Sequence, residues 1–262
     1  MSKMNKLIEI DNISVGYDNK PDVLKNVSLN VYVNDFLGII GPNGGGKTSL
    51  LKAILGLVRT TSGAIRFYDN GEPVRAINIG YMPQINRIDK KFPISVHDVI
   101  LSGLTPKKRW IKRYRLDDKV KVMHIADKLG IRDLLSHPIG ELSGGQLQRV
   151  LLGRAVVDTP PIIVLDEPNT YVDKRFETNF YKLLAEINKN IAIILVSHDV
   201  GTIVPMVKNI ACVNQTLHYH PTNDITEEWL ESASLGCPIE ILGHGTLPHR
   251  VLRRHDEHCK NR

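Results

Sequence analysis

The chain has 262 residues, 42% hydrophobic and 24% charged. This composition gives a soluble protein enough core to fold without disulfides and excludes the disordered and collagen-like classes. Three cysteines are too few for a disulfide framework and fit a reducing compartment. A net charge of +6 admits phosphates, nucleic acid or an anionic membrane surface as partners. A modest excess of solvated lysines gives the same number, so charge alone assigns nothing. Met1 to Asn12 lacks the apolar stretch of a signal peptide, and the longest apolar run, Ile191–Val196, is far short of the ~20 residues of a membrane span.

In chain order, the opening third reads as strands at Leu7–Ile10, Ser28–Val33, Phe36–Ile40, Ala64–Tyr68 and Ile77–Tyr81, punctuated by Asp18-Asn19-Lys20-Pro21 and Asp69-Asn70-Gly71. A helix is predicted after Lys47, with Leu50, Leu51, Ile54 and Leu55 at helical spacing. From Ile85 to Asp158 the strand signal disappears. Ser95 and Asp98 form a capping pattern before a short helix, and Asp118–Leu129 is an amphipathic helix stopped by Gly130. Alternation then returns. A strand at Ile162–Leu165 precedes a helix carrying Phe176, Phe180, Leu183, Leu184 and Ile187 on one face, followed by a strand at Ile191–Val196. Short apolar strands alternating with helices predict an α/β fold with a mostly parallel sheet covered on both faces. A hairpin around Asn214-Gln215, a helix near Thr226–Ser232 and an irregular tail complete the chain.

Between the strand at 36–40 and the next helix lies Gly41-Pro42-Asn43-Gly44-Gly45-Gly46-Lys47-Thr48. It matches the G-x-x-x-x-G-K-[ST] phosphate loop at every fixed position and in the context the motif requires. The glycines allow successive N–H groups to turn inward on an anion, and the new helix adds its positive end. Lys47 is expected to reach the β- and γ-phosphates of a nucleotide, and the Thr48 hydroxyl to bind Mg²⁺. The strand at 162–165 ends in Asp166-Glu167, at the carboxyl edge where an open α/β sheet binds ligands. Asp166 is expected to hold Mg²⁺ through a water and Glu167 to polarise the attacking water as general base.

Leu142-Ser143-Gly144-Gly145-Gln146 opens a helix with a capping box from Ser143 to Gln146. It follows Tyr81-Met82-Pro83-Gln84 and precedes Val196-Ser197-His198-Asp199. Together with the phosphate loop and the acidic strand end, this ordered set resembles the ATP-binding subunit of ABC transporters from about Leu7 to Val213. The resemblance implies a P-loop ATPase core over 1–84 and 159–213, with N-terminal antiparallel strands. It also implies a helical subdomain at 85–158 and a C-terminal extension at 214–262. It further implies a head-to-tail homodimer in which Ser143, Gly144, Gly145 and Gln146 meet the ATP on the other subunit's loop. Gln84 would bind Mg²⁺ and the attacking water, His198 would hold the γ-phosphate and orient Glu167, and Tyr17 would stack on adenine. Ser49 belongs to the same loop-and-helix segment, and Asp173 would keep an inter-subunit contact. The family often has alanine where Gly45 stands, and Pro168-Asn169-Thr170-Tyr171-Val172-Asp173 departs from its usual Pro-Thr-Ser-Ala-Leu-Asp.

Within the family, Phe92-Pro93-Ile94-Ser95-Val96 and the tail from Cys237-Pro238 to Leu252 resemble zinc, manganese or iron importer ATPases. That implies a peripheral subunit on the cytoplasmic face of the cell membrane, working with integral membrane permeases and, indirectly, an extracytoplasmic metal-binding protein, with no nucleic acid partner. His218, His220, His244, His249, His255 and His258 gather toward the end with Cys237 and Cys259. A helical end would put His255, His258 and Cys259 on one face, suited to a regulatory Zn²⁺, although Arg250, Arg253, Arg254, Lys260 and Arg262 surround it. The run Lys107–Arg115 interleaves cations with Trp110 and Tyr114 and reads either as a solvated face or as a contact for anionic headgroups or partner carboxylates. A soluble ABC-type ATPase acting on ribosomes or DNA is the second reading. The single cassette and the short span between Gln84 and Leu142 count against it.

Overall fold

The computed structural model describes residues 5–18, 20–84, 89, 91–104, 114–168, 174–197 and 203–221. Ten strands and five α-helices occur among them: β1 (Lys6–Tyr17), β2 (Lys20–Tyr32), β3 (Phe36–Ile40), α1 (Lys47–Ile54), β4 (Ser62–Asp69), β5 (Glu72–Val74), β6 (Ile79–Met82), α2 (Val96–Leu101), α3 (Leu116–Lys128), α4 (Gly144–Val156), β7 (Ile162–Asp166), α5 (Lys174–Asn188), β8 (Ala192–Val196), β9 (Asn209–Asn214) and β10 (Thr216–Pro221). The chain folds as two units, one of Met1–Glu9, Asn30–Phe36 and Arg66–Val196, the other of Ile10–Leu29, Leu37–Ile65 and the residues from Ser197 onward.

In the first unit, β7 is the middle strand of three and is parallel to both neighbours. Ile162 is opposite Ile79 of β6 and Ala192 of β8, and the register holds to Leu165, opposite Met82 and Leu195. Every residue of β7 and β8 is buried, as expected for parallel strands covered on both faces. A Cβ on Gly80 of β6 would sit 2.0 Å from the carbonyl oxygen of Ala155 in α4, so glycine is what lets that helix lie against the strand. The end of α5 is tied by Asn188, whose amide donates to the carbonyls of Asp35 (2.8 Å) and Ile191 (3.1 Å). Near the start of β1, Glu9 accepts hydrogen bonds from the Tyr68 hydroxyl and from Lys6 (3.1 Å), with Arg66 at 3.8 Å. The Tyr68 bond first, and then Lys6, holds the Glu9 carboxyl below its ordinary pKa.

In the second unit β9 lies between β3, to which it is parallel, and β10, to which it is antiparallel, giving the order β10-β9-β3. Asn214 faces Thr216, leaving Gln215 alone at the turn with φ of +61°, so the hairpin predicted at Asn214-Gln215 is present. The first two strands are longer than their alternation suggests. Asn12 in β1 and Asn26 in β2 both take left-handed φ, +48° and +49°, a conformation asparagine tolerates better than most residues. The amide N–H of Asn12 donates to the hydroxyl of Ser28 (3.0 Å), and that of Asn26 to the hydroxyl of Ser14 (3.2 Å). These kinks interrupt the two-residue period and hide the continuation of each strand from a pattern reading.

The two helices predicted after Ser95 and near Asp118–Leu129 are present, with small shifts. Ser95 caps α2 by accepting from the Asp98 amide (3.1 Å). Helix α3 begins at Leu116, ahead of the expected Asp118, because Asp118 sits in the first turn and accepts from the Arg115 amide (2.8 Å). Gly130, at φ of +64°, ends it. On α5, Phe180 and Leu184 are buried as predicted, together with Tyr181 and Asn188, while Leu183 and Ile187 are half-buried. The helix expected near Thr226–Ser232 lies outside the described residues.

Candidate nucleotide site

The second unit carries the phosphate loop between β3 and α1. Gly46 is the residue before the helix, with φ of +107°, and a Cβ there would meet Leu24 Cδ2 at 2.5 Å and the Val23 carbonyl oxygen at 3.0 Å. Only glycine satisfies both the backbone angle and the approach. Behind the loop, a Cβ on Gly41 would fall 2.0 Å from the carbonyl oxygen of Val213 in β9. At Gly45 the same oxygen would be 2.8 Å away, which gives this departure from the family's frequent alanine a steric reason. The Gly45 carbonyl in turn accepts from the Gln215 amide at 2.8 Å.

Lys47 is 5% exposed, and its ammonium donates to the carbonyls of Gly41 (2.8 Å) and Pro42 (3.1 Å). The charge is therefore held back across the loop. Asn43 and Gly44 are exposed at its tip, and Thr48 and Ser49 are half-buried in the first turn of α1. Tyr17, 40% exposed, hydrogen bonds through its hydroxyl with the Ser49 hydroxyl at 3.2 Å, leaving the ring beside the start of the helix. A loop in which a Cβ would crowd Gly41, Gly45 and Gly46, a buried cation and a helix N-terminus together make a donor set that fits phosphate oxygens.

The first unit carries the carboxylates. Asp166 closes β7 at 1% exposure, and its Oδ2 accepts from the Tyr81 hydroxyl at 3.4 Å. Glu167 follows at φ of +48°, its amide donating to the Val196 carbonyl at 3.1 Å. Its Oε2 accepts from Nε2 of Gln84 at 2.8 Å, so two residues singled out far apart in sequence meet. Ser143 caps α4 as predicted: its hydroxyl accepts from the Gln146 amide (3.3 Å), and its own amide donates to the Gln146 side-chain oxygen (2.8 Å). That reciprocal box puts Gly144 and Gly145 in the first helical turn.

One contact was not anticipated. Gln148, 1% exposed, donates from Nε2 to the Pro168 carbonyl at 3.0 Å. The signal was present in the sequence, since Gln148 shares the helical stripe of Leu151, Leu152 and Ala155, where a buried polar group needs a partner. His198, Asp173, the tail residues His255, His258 and Cys259, and residues 107–113 of the basic run Lys107–Arg115 lie outside the described residues. Among the described residues no group of three His, Cys, Asp or Glu side chains is arranged for a metal, and no helix is long and apolar enough to cross a membrane.

A strand that sends a glycine-rich loop into a helix in one unit, and a buried parallel strand that ends in paired carboxylates in the other, are the two marks of a P-loop nucleotide-binding protein. Residues 24–170 match the ABC transporter family, and the chain belongs to it, as an ATP-binding, ATP-hydrolysing subunit. It is 38% identical over 241 residues to a probable metal transport system ATP-binding protein of Thermotoga maritima, covering 91% of this chain and 94% of that protein. It is 37% identical to a zinc uptake system ATP-binding protein of Listeria innocua (82% and 85% covered) and 36% identical to a manganese transport system ATP-binding protein of Halalkalibacterium halodurans (85% and 89%). Among solved structures, the fold resembles that of a putative metal-chelate type ABC transporter in an inward-facing conformation. Identity there is 24% and the TM-score 0.78, over 94% of this chain and 96% of that one. An ATP-binding cassette of an ABC transporter in its ADP conformation gives a TM-score of 0.72 at 23% identity, over 88% and 99%.

Proposed function

We propose that this chain drives uptake of a divalent metal ion, zinc or manganese, by hydrolysing ATP in a head-to-tail homodimer attached to membrane permease subunits at the cytoplasmic face. The observation that carries the catalytic part is the Gln84–Glu167 hydrogen bond. It joins the candidate general base to a residue two positions beyond β6, so a shift of the segment after β6 would reach the base directly. The cargo is supported by the zinc and manganese transport relatives.

In this reading Lys47 leaves the Gly41 and Pro42 carbonyls to pair with the β- and γ-phosphates, and the loop amides bind the remaining oxygens. Thr48 and Gln84 would supply hard oxygen donors to Mg²⁺, and Asp166 would hold it through a water. When bound, the ion neutralises charge on the phosphate oxygens. Glu167 accepts the proton of the attacking water, and Gln84 Nε2 keeps that carboxylate aimed until the water arrives. Tyr17 stacks on the adenine, and Ser143, Gly144, Gly145 and Gln146 meet the γ-phosphate held by a second copy. His198 steadies the γ-phosphate, and Asp173 lies at the subunit contact. Residues 85–158 form the helical segment facing the permease and 214–262 the extension. A regulatory Zn²⁺ at His255, His258 and Cys259 rests on the tail sequence alone.

The test has three arms. Gel filtration of the Glu167→Gln chain with Mg-ATP is expected to show a stable dimer, and its phosphate release is expected to fall to a small residual rate. A monomer hydrolysing at the wild-type rate rejects the assignment of Glu167. In native cells, replacing the chain by Lys47→Ala is expected to abolish uptake of radiolabelled zinc or manganese. Unchanged uptake of both rejects the cargo. Zinc titration of the full chain and of a truncation after Leu247 tests the tail, and equal weak binding by both ends that idea.

A further inference from the structure

We infer that Gln148 is a positioning residue for hydrolysis, fixing the backbone beside Glu167 from within the same helix that Ser143 caps. This rests on the reading of Glu167 as the general base. Glu167 is a non-glycine residue in left-handed backbone geometry and precedes a proline, which narrows its backbone choices further. Such a conformation persists only where its surroundings over-determine it. Two hydrogen bonds do so here. On one side the Glu167 amide is held by the Val196 carbonyl at 3.1 Å. On the other, the buried Gln148 amide holds the carbonyl of Pro168 at 3.0 Å. The side chain of Glu167 is then aimed by Gln84 at 2.8 Å.

Gln148 lies two residues after Gln146, which completes the cap at the start of α4. The stretch expected to meet the γ-phosphate of a second copy and the backbone clamp on the general base are therefore parts of one rigid helix. Any movement of α4 that follows engagement of nucleotide at its N-terminus is delivered to Pro168, and through it to the base. The amide is needed for its donor: methionine fills a similar volume but has nothing to offer the carbonyl.

The test uses the full-length chain, comparing wild type, Gln148→Met, Glu167→Gln and the double variant by steady-state phosphate release and by binding of a fluorescent ATP analogue. A displaced base loses on the order of 10- to 100-fold in rate. Gln148→Met is expected to lower kcat by about tenfold or more with nucleotide affinity unchanged, and to have no further effect on the residual turnover of Glu167→Gln. Should the methionine variant not fold, Gln148→Asn, which keeps the amide but draws it back by one methylene, is read in the same way. A wild-type kcat in the Gln148 variant overturns the inference, as does an equal loss in the Glu167→Gln background. Glu167→Gln hydrolysing normally by itself overturns instead the reading on which the inference stands.

Discussion

The backbone N–H of Gln215 donates to the carbonyl of Gly45 at 2.8 Å, while the carbonyl of Gln215 accepts from the Lys25 amide at 2.7 Å. One turn residue thus brackets the phosphate loop against β2 through main-chain atoms alone. Proline at this position cannot reach a φ of +61° and has no N–H to give. Gln215→Pro is expected to destabilise the chain by more than ~1 kcal/mol and to weaken ATP binding, whereas Gln215→Gly relieves the backbone and binds ATP like wild type. Thermal melts with and without nucleotide distinguish them.

The loop glycines are not equivalent. A Cβ at Gly44 would meet nothing within 4 Å, so Gly44→Ala adds only the left-handed penalty of its +79° φ, ~1–2 kcal/mol. Gly46→Ala adds that penalty and a 2.5 Å collision with Leu24. The second variant should lose ATP binding outright while the first retains it. Equal affinities for a fluorescent ATP analogue would contradict this ordering.

Ser143 has a local role that can be separated from its expected role across a dimer. Ser143→Ala removes the cap of α4 and is expected to lower stability by ~1 kcal/mol. Ser143→Asp keeps a capping oxygen but presents a negative charge to the neighbouring nucleotide. It should fold like wild type and fail to dimerise with Mg-ATP in the Glu167→Gln background. Chemical denaturation and gel filtration read the two effects independently.

Glu9 gives the fold a dependence on acid. Its pKa is lowered in the folded chain, by the Tyr68 hydrogen bond above all. Its contribution is therefore complete above the unfolded pKa and disappears as pH falls through the folded one. Glu9→Gln should be less stable than wild type at neutral pH, and the two melting temperatures should converge as the pH drops through the acidic range. A constant gap across that range would rule the carboxylate out as its source.

Residues whose chemistry is local were the ones the sequence made legible. The phosphate loop, the Ser143 cap and the acidic end of β7 each declare themselves through a fixed spacing tied to one turn of backbone. The parallel sheet was legible because β7 and β8 are uninterrupted apolar runs. What stayed hidden depends on partners distant in the chain. Nothing near Gln215 names Gly45 as its acceptor, and nothing near Gln148 names Pro168. The kinks at Asn12 and Asn26 concealed the length of β1 and β2, because a left-handed residue moves the following side chains to the other face and makes a continuous strand look broken.

Those two kinks also act as a registration mark. Strands as long as β1 and β2 could otherwise slide along one another, and a slip of one residue would exchange the buried and exposed faces of each. Here a slip would also move Ser28 away from Asn12 and Ser14 away from Asn26, leaving two kinked amides facing no hydroxyl. The crossed serine–asparagine contacts therefore favour one alignment of the two strands over its one-residue slips.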